Sequence, residues 1–281
     1  LDALKERAYP AFRALIGEAG QGEPIPYYVI LVADGDHMGA VINGQNDFRK
    51  HRELSQDLAR FAAEARKIVE GHAGCLIYSG GDDVLAFLPL HQAVACAHDL
   101  STRFRKLMGA WVSEQDQTPT LSAGLAVVHH LMPLDQARLR AWEAEHMAKE
   151  DGGRNALAII VDKRGGTPIS TVGRWDELIP SLEQLTTLHH LGGISHKAGH
   201  ELSALERLSD SPRELLLDEA LRILRRKRSR GGQTALEEET LAALRRHMDD
   251  TEQLGPGELG RRLTIAAFIA RAQQQAGKEV S

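Results

Sequence analysis

The chain of 281 residues has little cysteine, few aromatic side chains and no long apolar run. Cys75 and Cys96 are its two cysteines, so a secreted module held by several disulfides is excluded and a cytoplasmic location is predicted. Both thiols are interpreted as small core residues and not as nucleophiles. No apolar run approaches the roughly 20 residues that a bilayer span needs, which excludes a membrane-embedded protein.

Charge and aromatic content restrict the nucleic-acid chemistry that the chain can offer. The formal net charge is −5, so a uniformly basic surface is excluded and any contact with nucleic acid must be local. Aromatic residues make up 5% of the chain, which argues against a platform on which single-stranded bases stack. The N-terminus has neither an initiator Met nor the apolar core of a signal peptide, and we expect a fragment of a longer protein.

The pattern of apolar residues divides the chain into two parts. Strand-like and helix-like segments alternate in the order β-α-β-β-α-β-α-β up to about residue 163, and every periodic segment after about residue 175 is typical of a helix. The first six elements match the ferredoxin-like split βαβ pattern, an antiparallel sheet with helices on one face. We predict an α+β fold with an N-terminal helical or linker segment (1–24), a ferredoxin-like palm domain (25–165) and an all-α helical bundle domain (172–281).

Two acidic segments occur at predicted strand ends. Residues 79–83 (Ser-Gly-Gly-Asp-Asp) form the tip of a predicted hairpin, and residues 34–36 (Asp-Gly-Asp) follow the first strand. Adjacent carboxylates repel one another at a tight turn, and Mg²⁺ or Mn²⁺ removes that conflict. Because the first strand of a split βαβ sheet lies beside the hairpin, we expect Asp34 and Asp82 to converge on one metal ion or on two ions about 3.5–4 Å apart, suited to phosphoryl transfer. This chemistry requires that neither carboxylate is buried against a permanent cationic partner.

A basic pair follows the last helix of the predicted palm. Lys149 lies at the predicted helix end and Arg154 in the glycine turn after it. Their side chains could hold triphosphate oxygens, and an arginine can do so with two parallel hydrogen bonds. The alternative is that both cations only complement the negative end of the helix dipole.

These segments resemble a known family. Residues 33–39 (Ala-Asp-Gly-Asp-His-Met-Gly), 78–86 (Tyr-Ser-Gly-Gly-Asp-Asp-Val-Leu-Ala), 122–129 (Ser-Ala-Gly-Leu-Ala-Val-Val-His) and 148–157 (Ala-Lys-Glu-Asp-Gly-Gly-Arg-Asn-Ala-Leu) are similar to the second palm domain of the large subunit of type III CRISPR effector complexes, most closely the Cmr-type (III-B) subunit. The helical part is similar to that subunit's C-terminal domain. The hairpin also resembles the GGDEF diguanylate cyclases, in which Glu-Phe stands where this chain has Asp83-Val84.

The resemblance implies a nucleotidyltransferase that target RNA activates inside a guide-RNA complex with other subunits. It would join ATP molecules through 3′–5′ linkages into cyclic oligoadenylates, second messengers of antiviral defence. Asp34, Asp82 and Asp83 are then catalytic metal ligands, and Asp36 is a weaker candidate that is either an extra ligand or only shapes the turn. The implied nucleotide-binding residues are Gly35, Ser79, Gly80, Gly81, Lys149 and Arg154.

The resemblance leaves part of the family's large subunit unmatched. That subunit also has an HD nuclease-like domain and a first palm, so we expect this chain alone to lack the nuclease and half of the cyclase site. Two other functions stay open. One is a diguanylate cyclase that uses GTP, and the other is an assembly scaffold whose palm is catalytically vestigial.

Two features of the helical part are weaker signals. His196 and His200, spaced i, i+4, could place two zinc ligands on one helix face, but without a third ligand they are interpreted as solvated or capping. A basic run at a predicted helix end could contact RNA phosphates, or it could be a solvated last turn that the helix dipole favours. The candidate RNA contacts are Arg225, Arg226, Lys227, Arg228 and Arg230.

Overall fold

A computed structural model of the chain describes residues 8–11, 13–14, 25–113, 116–191, 194–208, 212–226, 238–249 and 255–277. Most of the predicted N-terminal segment therefore lies outside the described residues. In the described part, one mixed sheet has helices packed on both faces, and further helices form a second core beside it. Among the helices of these ranges, none combines the length and apolar character needed to cross a bilayer.

The sheet contains the strands β1 (Tyr27–Asp36), β2 (Cys75–Gly80), β3 (Asp83–Pro89), β4 (Thr120–His129), β5 (Ala156–Asp162) and β6 (Ile169–Arg174). They are arranged in the order β2-β3-β1-β4-β5-β6. The first four strands pair antiparallel, which confirms the split βαβ prediction, and β5 joins them parallel to β4. β1 lies in the middle of the sheet, and its apolar residues 29–33 are all buried.

The described α-helices are α1 (Met38–Asn43), α2 (Phe48–Gly71), α3 (Leu90–Met108), α4 (Leu134–Glu150), α5 (Trp175–His190), α6 (His196–Ala204), α7 (Arg213–Arg226), α8 (Glu238–Asp249) and α9 (Pro256–Gln275). A short 3₁₀ turn, Leu205–Leu208, follows α6. α2 begins at Asp47, whose carboxylate accepts a hydrogen bond from the backbone N–H of Arg49 at 3.0 Å.

Helices cover both faces of the sheet. α2 and α3 lie on one face, where the rings of Phe61 and Phe104 meet edge to face with centroids 5.0 Å apart. The two helices of the split βαβ unit therefore share one face, as predicted. α4, which follows the first six elements, lies on the other face. Its buried side chains are all alanines, which allow the helix to approach the strands closely. These alanines are Ala137, Ala141, Ala144 and Ala148.

The sheet extends past residue 165, where the sequence predicts the palm domain to end. β6, where the sequence predicts no strand, pairs with β5 through Ile160↔Ser170. Trp175 from α5 and Ile269 from α9 are buried in the same core as β1 and β4. A second core joins α5 to α9 around residues such as Leu202 and Leu263. The helical part therefore shares one core with the palm and has another of its own.

The two cysteines differ in exposure. Cys96 on α3 is 0% exposed, as predicted for a small core residue. Cys75 is exposed, so its interpretation as a core residue is wrong. The reason is that β2 is an edge strand, on which alternate side chains point toward solvent.

Candidate active site

The two acidic segments lie side by side at one end of the sheet, as the sequence predicts. β1 pairs with β3 as far as Ala33↔Val84, so the neighbouring residues Asp34 and Asp83 face each other. Gly81, in the turn between β2 and β3, has a φ of 74°, a conformation that glycine adopts without steric strain. Together Asp34, Asp82 and Asp83 are called the acidic cluster below.

The carboxyl groups of the acidic cluster are electrostatically coupled. A hydrogen bond between Asp83 and Asp34, together with burial and the negative charges of Asp34 and Asp82, raises the pKa of Asp83 to about 7. Burial alone would raise the pKa of Asp34, but hydrogen bonds from Asp83 and Lys149 outweigh it and lower that pKa. Burial and the charge of Asp34 raise the pKa of Asp82. Asp34 and Asp83 therefore share a proton around neutral pH, as closely placed like charges do.

A lysine lies against the acidic cluster. Lys149 Nζ, near the end of α4, donates a hydrogen bond to Asp34 Oδ2 and lies 2.8 Å from Oε1 of Glu145, one helical turn earlier. Asp34 thus has a cationic partner, contrary to the condition stated from the sequence. The ion pair is accessible to solvent, since 31% of the Asp34 side chain and 20% of the Lys149 side chain are exposed. A metal cation can therefore compete for Asp34, and a phosphate can compete for Lys149.

The acidic cluster fits a divalent cation that protein and phosphate oxygens hold jointly. Mg²⁺ is commonly bound by one or two carboxylates plus substrate phosphates, and Asp34 and Asp83 supply two carboxylates already in contact. Ser79 Oγ, on β2 opposite Val84, is buried and has no hydrogen-bond partner among the described residues, and its nucleotide role stays a prediction. In the described ranges, no three His, Cys, Asp or Glu side chains form a complete metal-binding group, so the protein alone does not build a closed cage. The two-ion site stays a prediction.

Asp36 is buried at the end of β1, where its carboxylate is held by hydrogen bonds. Its carboxylate, 1% exposed, accepts hydrogen bonds from Thr120 Oγ1 at 2.6 Å, from Ser122 Oγ at 2.9 Å and from the backbone N–H of Asn155 at 3.0 Å. Both oxygens are engaged in these bonds. Of the two interpretations from the sequence, the structure favours the one in which Asp36 shapes the turn.

The turn that Asp36 holds is unusual in its backbone. Gly153, Arg154 and Asn155 have φ values of 67°, 65° and 46°, three consecutive residues in the left-handed region. Such a conformation is unfavourable for the two non-glycine residues and needs support from its surroundings. The hydrogen bond from the Asn155 N–H to Asp36 supplies part of this support. It thereby fixes the backbone position from which the Arg154 side chain extends. That side chain is 42% exposed, 4.0 Å from Glu150, and its nucleotide role stays a prediction.

Two of the predicted nucleotide-binding glycines have a packing reason for being glycine. A Cβ on Gly35 would lie 2.8 Å from the Cβ of Asp82 and 2.7 Å from Cγ of Met38. A Cβ on Gly80 would lie 2.5 Å from Cζ of Tyr78, whose ring lies over the hairpin tip. Both glycines therefore allow the hairpin tip to pack closely, whatever they contribute to nucleotide binding.

The sequence reasoning missed Glu145, Thr120 and Ser122. Glu145 stands four residues before Lys149, the spacing at which side chains of a helix meet, so this signal was available. The hydroxyl partners of Asp36 follow from the β1–β4 register, Asp36↔Thr120, which the sequence does not specify.

The candidate RNA-contact residues are only partly described. Arg225 and Arg226 end α7, and the Arg226 side chain is 60% exposed and 3.9 Å from Glu201. Lys227, Arg228 and Arg230 lie outside the described residues. Their contact with RNA stays a prediction.

Comparison with known proteins finds a family similar to the palm. The family model described as Cas10/Cmr2, second palm domain, matches residues 27–158. The Cmr2 subunit of the CRISPR system Cmr from Pyrococcus furiosus is 33% identical over an alignment of 187 positions, which covers 55% of this chain and 21% of that protein. The chain therefore spans about a fifth of this relative.

Solved structures share the fold over a longer part of the chain. The type III-B Cmr-beta structure in the apo state superposes with a TM-score of 0.56 at 13% identity, covering 96% of this chain and 40% of that one. Cmr-beta bound to cognate target RNA gives 0.57 at 12% identity, covering 93% and 41%. A Csm1–Csm4 cassette in complex with pppApA gives 0.55 at 17% identity, covering 86% and 36%.

These findings show which class of protein the chain is similar to. Residues 27–158 match the second palm domain of the Cas10/Cmr2 family. The family match, the Cmr2 relative and the Cmr-beta structures together support a large subunit of the Cmr type.

Proposed function

We propose that the chain is the palm-containing part of a type III CRISPR large subunit and that this palm converts ATP into cyclic oligoadenylates when the guide-RNA complex binds target RNA. The observation that carries the proposal is the convergence of Asp34, Asp82 and Asp83 at one strand end with Lys149 against them. The structurally similar Csm1–Csm4 cassette has been solved with pppApA and with cA4, which supports adenine nucleotides as the substrate class.

Each residue of the site has a distinct part in this proposal. Asp34, Asp82 and Asp83 hold Mg²⁺ or Mn²⁺, which when bound would polarise the α-phosphate of ATP for attack by a 3′-hydroxyl, with pyrophosphate as the leaving group. Lys149 leaves Asp34, stays beside Glu145 and offers its ammonium group to the triphosphate. Arg154, presented by the left-handed turn, binds phosphate oxygens with its planar guanidinium group.

The assembled complex with the full-length subunit tests this proposal. It is incubated with ATP or GTP and Mg²⁺ or Mn²⁺, with and without target RNA, and the products are identified by mass spectrometry. We expect cyclic oligoadenylates from ATP only when target RNA is present, and none from Asp82→Ala. Asp176→Asn, which changes an aspartate with an 85% exposed side chain on α5, is the matched control and stays active.

Other results of the same experiment favour the alternatives. Cyclic di-GMP formed from GTP without RNA supports a diguanylate cyclase. If the wild type forms no product and ATP with Mg²⁺ shifts the melting temperature of wild type, Asp82→Ala and Asp83→Ala equally, the palm is a scaffold.

A further inference from the structure

Away from the candidate active site, a cleft lies along β6, the edge strand of the sheet on the side of the helical part. Its volume is about 790 Å³. The loop between β5 and β6 (163–168), α6, the 3₁₀ turn and the start of α9 form its walls. No residue of the acidic cluster lines it, so this β6 cleft is separate from the candidate active site.

Two of the three carboxylates that line the β6 cleft are already engaged by cations. Glu258 accepts hydrogen bonds from Arg261 at 2.9 Å and from Arg262 at 3.0 Å, and it also binds the Thr171 hydroxyl. Glu206 forms an ion pair with Arg261. The third, Asp151, is exposed at the end of α4. Glu206 and Glu258 are therefore not available to neutralise further cations.

Basic groups at the loop end of the β6 cleft have no such counter-charge. Lys163 Nζ lies 3.5 Å from Nε2 of His200 and 5.4 Å from the centroid of the Phe268 ring. Within the described part of the chain, neither Lys163 nor His200 forms an ion pair with a carboxylate. Burial lowers the pKa of Lys163, and burial together with the charge of Lys163 lowers the pKa of His200.

The surroundings leave room for an anion beside these groups. Arg207, exposed on the 3₁₀ turn, also lines the cleft and adds another cation. Gly165 and Gly166 form part of the wall, and a Cβ on either would meet open space. The Lys163 ammonium group has three donors and His200 Nε2 accepts only one of them, so an anion with several acceptor oxygens has donors left to bind.

We propose that the β6 cleft binds a phosphate group, which Lys163, His200 and Arg207 hold. Both a free phosphate or nucleotide and the backbone of an RNA strand carry this group, and the test separates these two sources. The site does not depend on the proposed function, because a palm without catalytic activity would bind phosphate here equally well.

The test uses the full chain with EDTA, so that no divalent cation supports binding at the acidic cluster. Binding of inorganic pyrophosphate is measured by calorimetry, and binding of a fluorescein-labelled oligouridylate is measured by anisotropy over a series of salt concentrations. The variants are Lys163→Gln and His200→Gln. Lys197→Gln, which changes an exposed lysine on α6 outside the cleft, is the matched control.

We expect Lys163→Gln and His200→Gln each to weaken binding at least about fivefold, and the control to bind like the wild type. A loss of RNA binding with a shallower salt dependence assigns the site to an RNA backbone, and a loss of pyrophosphate binding alone assigns it to a free phosphate. Pyrophosphate should also raise the melting temperature of the wild type more than that of either variant. Equal affinity of wild type and both folded variants for both probes would overturn the proposal.

Discussion

Replacing Asp36 by Asn tests whether this residue shapes the end of β1 or binds a metal ion. Asn keeps the shape of the side chain but replaces one carboxylate oxygen by an N–H₂ group, which cannot accept a hydrogen bond from Thr120, Ser122 or Asn155. Ser122 is 0% exposed, so its hydroxyl cannot turn to water. With about 1–3 kcal/mol for each buried polar group left without a partner, we expect the free energy of unfolding to fall by about 3 kcal/mol. At about 2–4 °C per kcal/mol, the melting temperature then falls by about 6–12 °C.

Thermal melts and amide hydrogen exchange, both without metal, measure this effect. In Asp36→Asn the amide of Asn155 should exchange at least about tenfold faster, because its acceptor is lost. Adding Ser122→Ala should remove part of the penalty, with a coupling of about 1 kcal/mol, since both partners are then absent. Asp176→Asn is again the exposed control and should change stability by less than about 0.5 kcal/mol.

A metal ligand would behave in the opposite way. Removing one negative charge next to the acidic cluster would leave the metal-free protein equally stable or more stable. If Asp36→Asn melts within about 2 °C of the wild type and Asn155 exchanges at an unchanged rate, the role of Asp36 in holding the turn is refuted.

Three further changes test other parts of the structure. Lys149→Ala should weaken ATP binding about tenfold in calorimetry while the fold persists, and a loss of more than about 10 °C in melting temperature would contradict its assigned role. Gly124→Ala should destabilise the chain by about 3 kcal/mol, because the new Cβ would clash with the α4 backbone at Ala141, Ala144 and Glu145. Gly39→Ala, on α1 with no atom within 4 Å of the new Cβ, should keep the stability or raise it by up to about 1 kcal/mol, and equal denaturation midpoints of the two variants would refute the difference. Burial raises the pKa of Cys96 to about 12, whereas Cys75 is exposed. At pH 8 a thiol reagent should therefore label only Cys75 in the native protein and both cysteines after denaturation. Rapid labelling of Cys96 in the native protein would contradict its burial.

The sequence was informative where a local pattern determines the structure. The apolar run that became β1 and the glycine hairpin that became the β2–β3 turn both predicted their elements. The split βαβ order then predicted that Asp34 and the hairpin tip would meet, because β1 can only lie beside β3 in that topology.

What the sequence left out depends on contacts between distant segments. β6 was missed because its polar and glycine residues carry a weak strand pattern, and its pairing with β5 supplies the backbone hydrogen bonds that stabilise it. The pairing of Lys149 with Asp34 joins residues 115 positions apart, so spacing along the chain could not reveal it. The same is true of the bonds from Thr120, Ser122 and Asn155 to Asp36.

Metal-dependent ATP binding is the most direct test of the acidic cluster. Calorimetry compares ATP binding with and without Mn²⁺ for the wild-type chain, Asp34→Asn and the control Asp176→Asn. If the cluster and the triphosphate hold a cation between them, Mn²⁺ should tighten ATP binding at least about tenfold in the wild type and in the control, and this gain should disappear in Asp34→Asn. An equal gain in all three proteins, or none in the wild type, would contradict the assignment of Asp34 as a metal ligand.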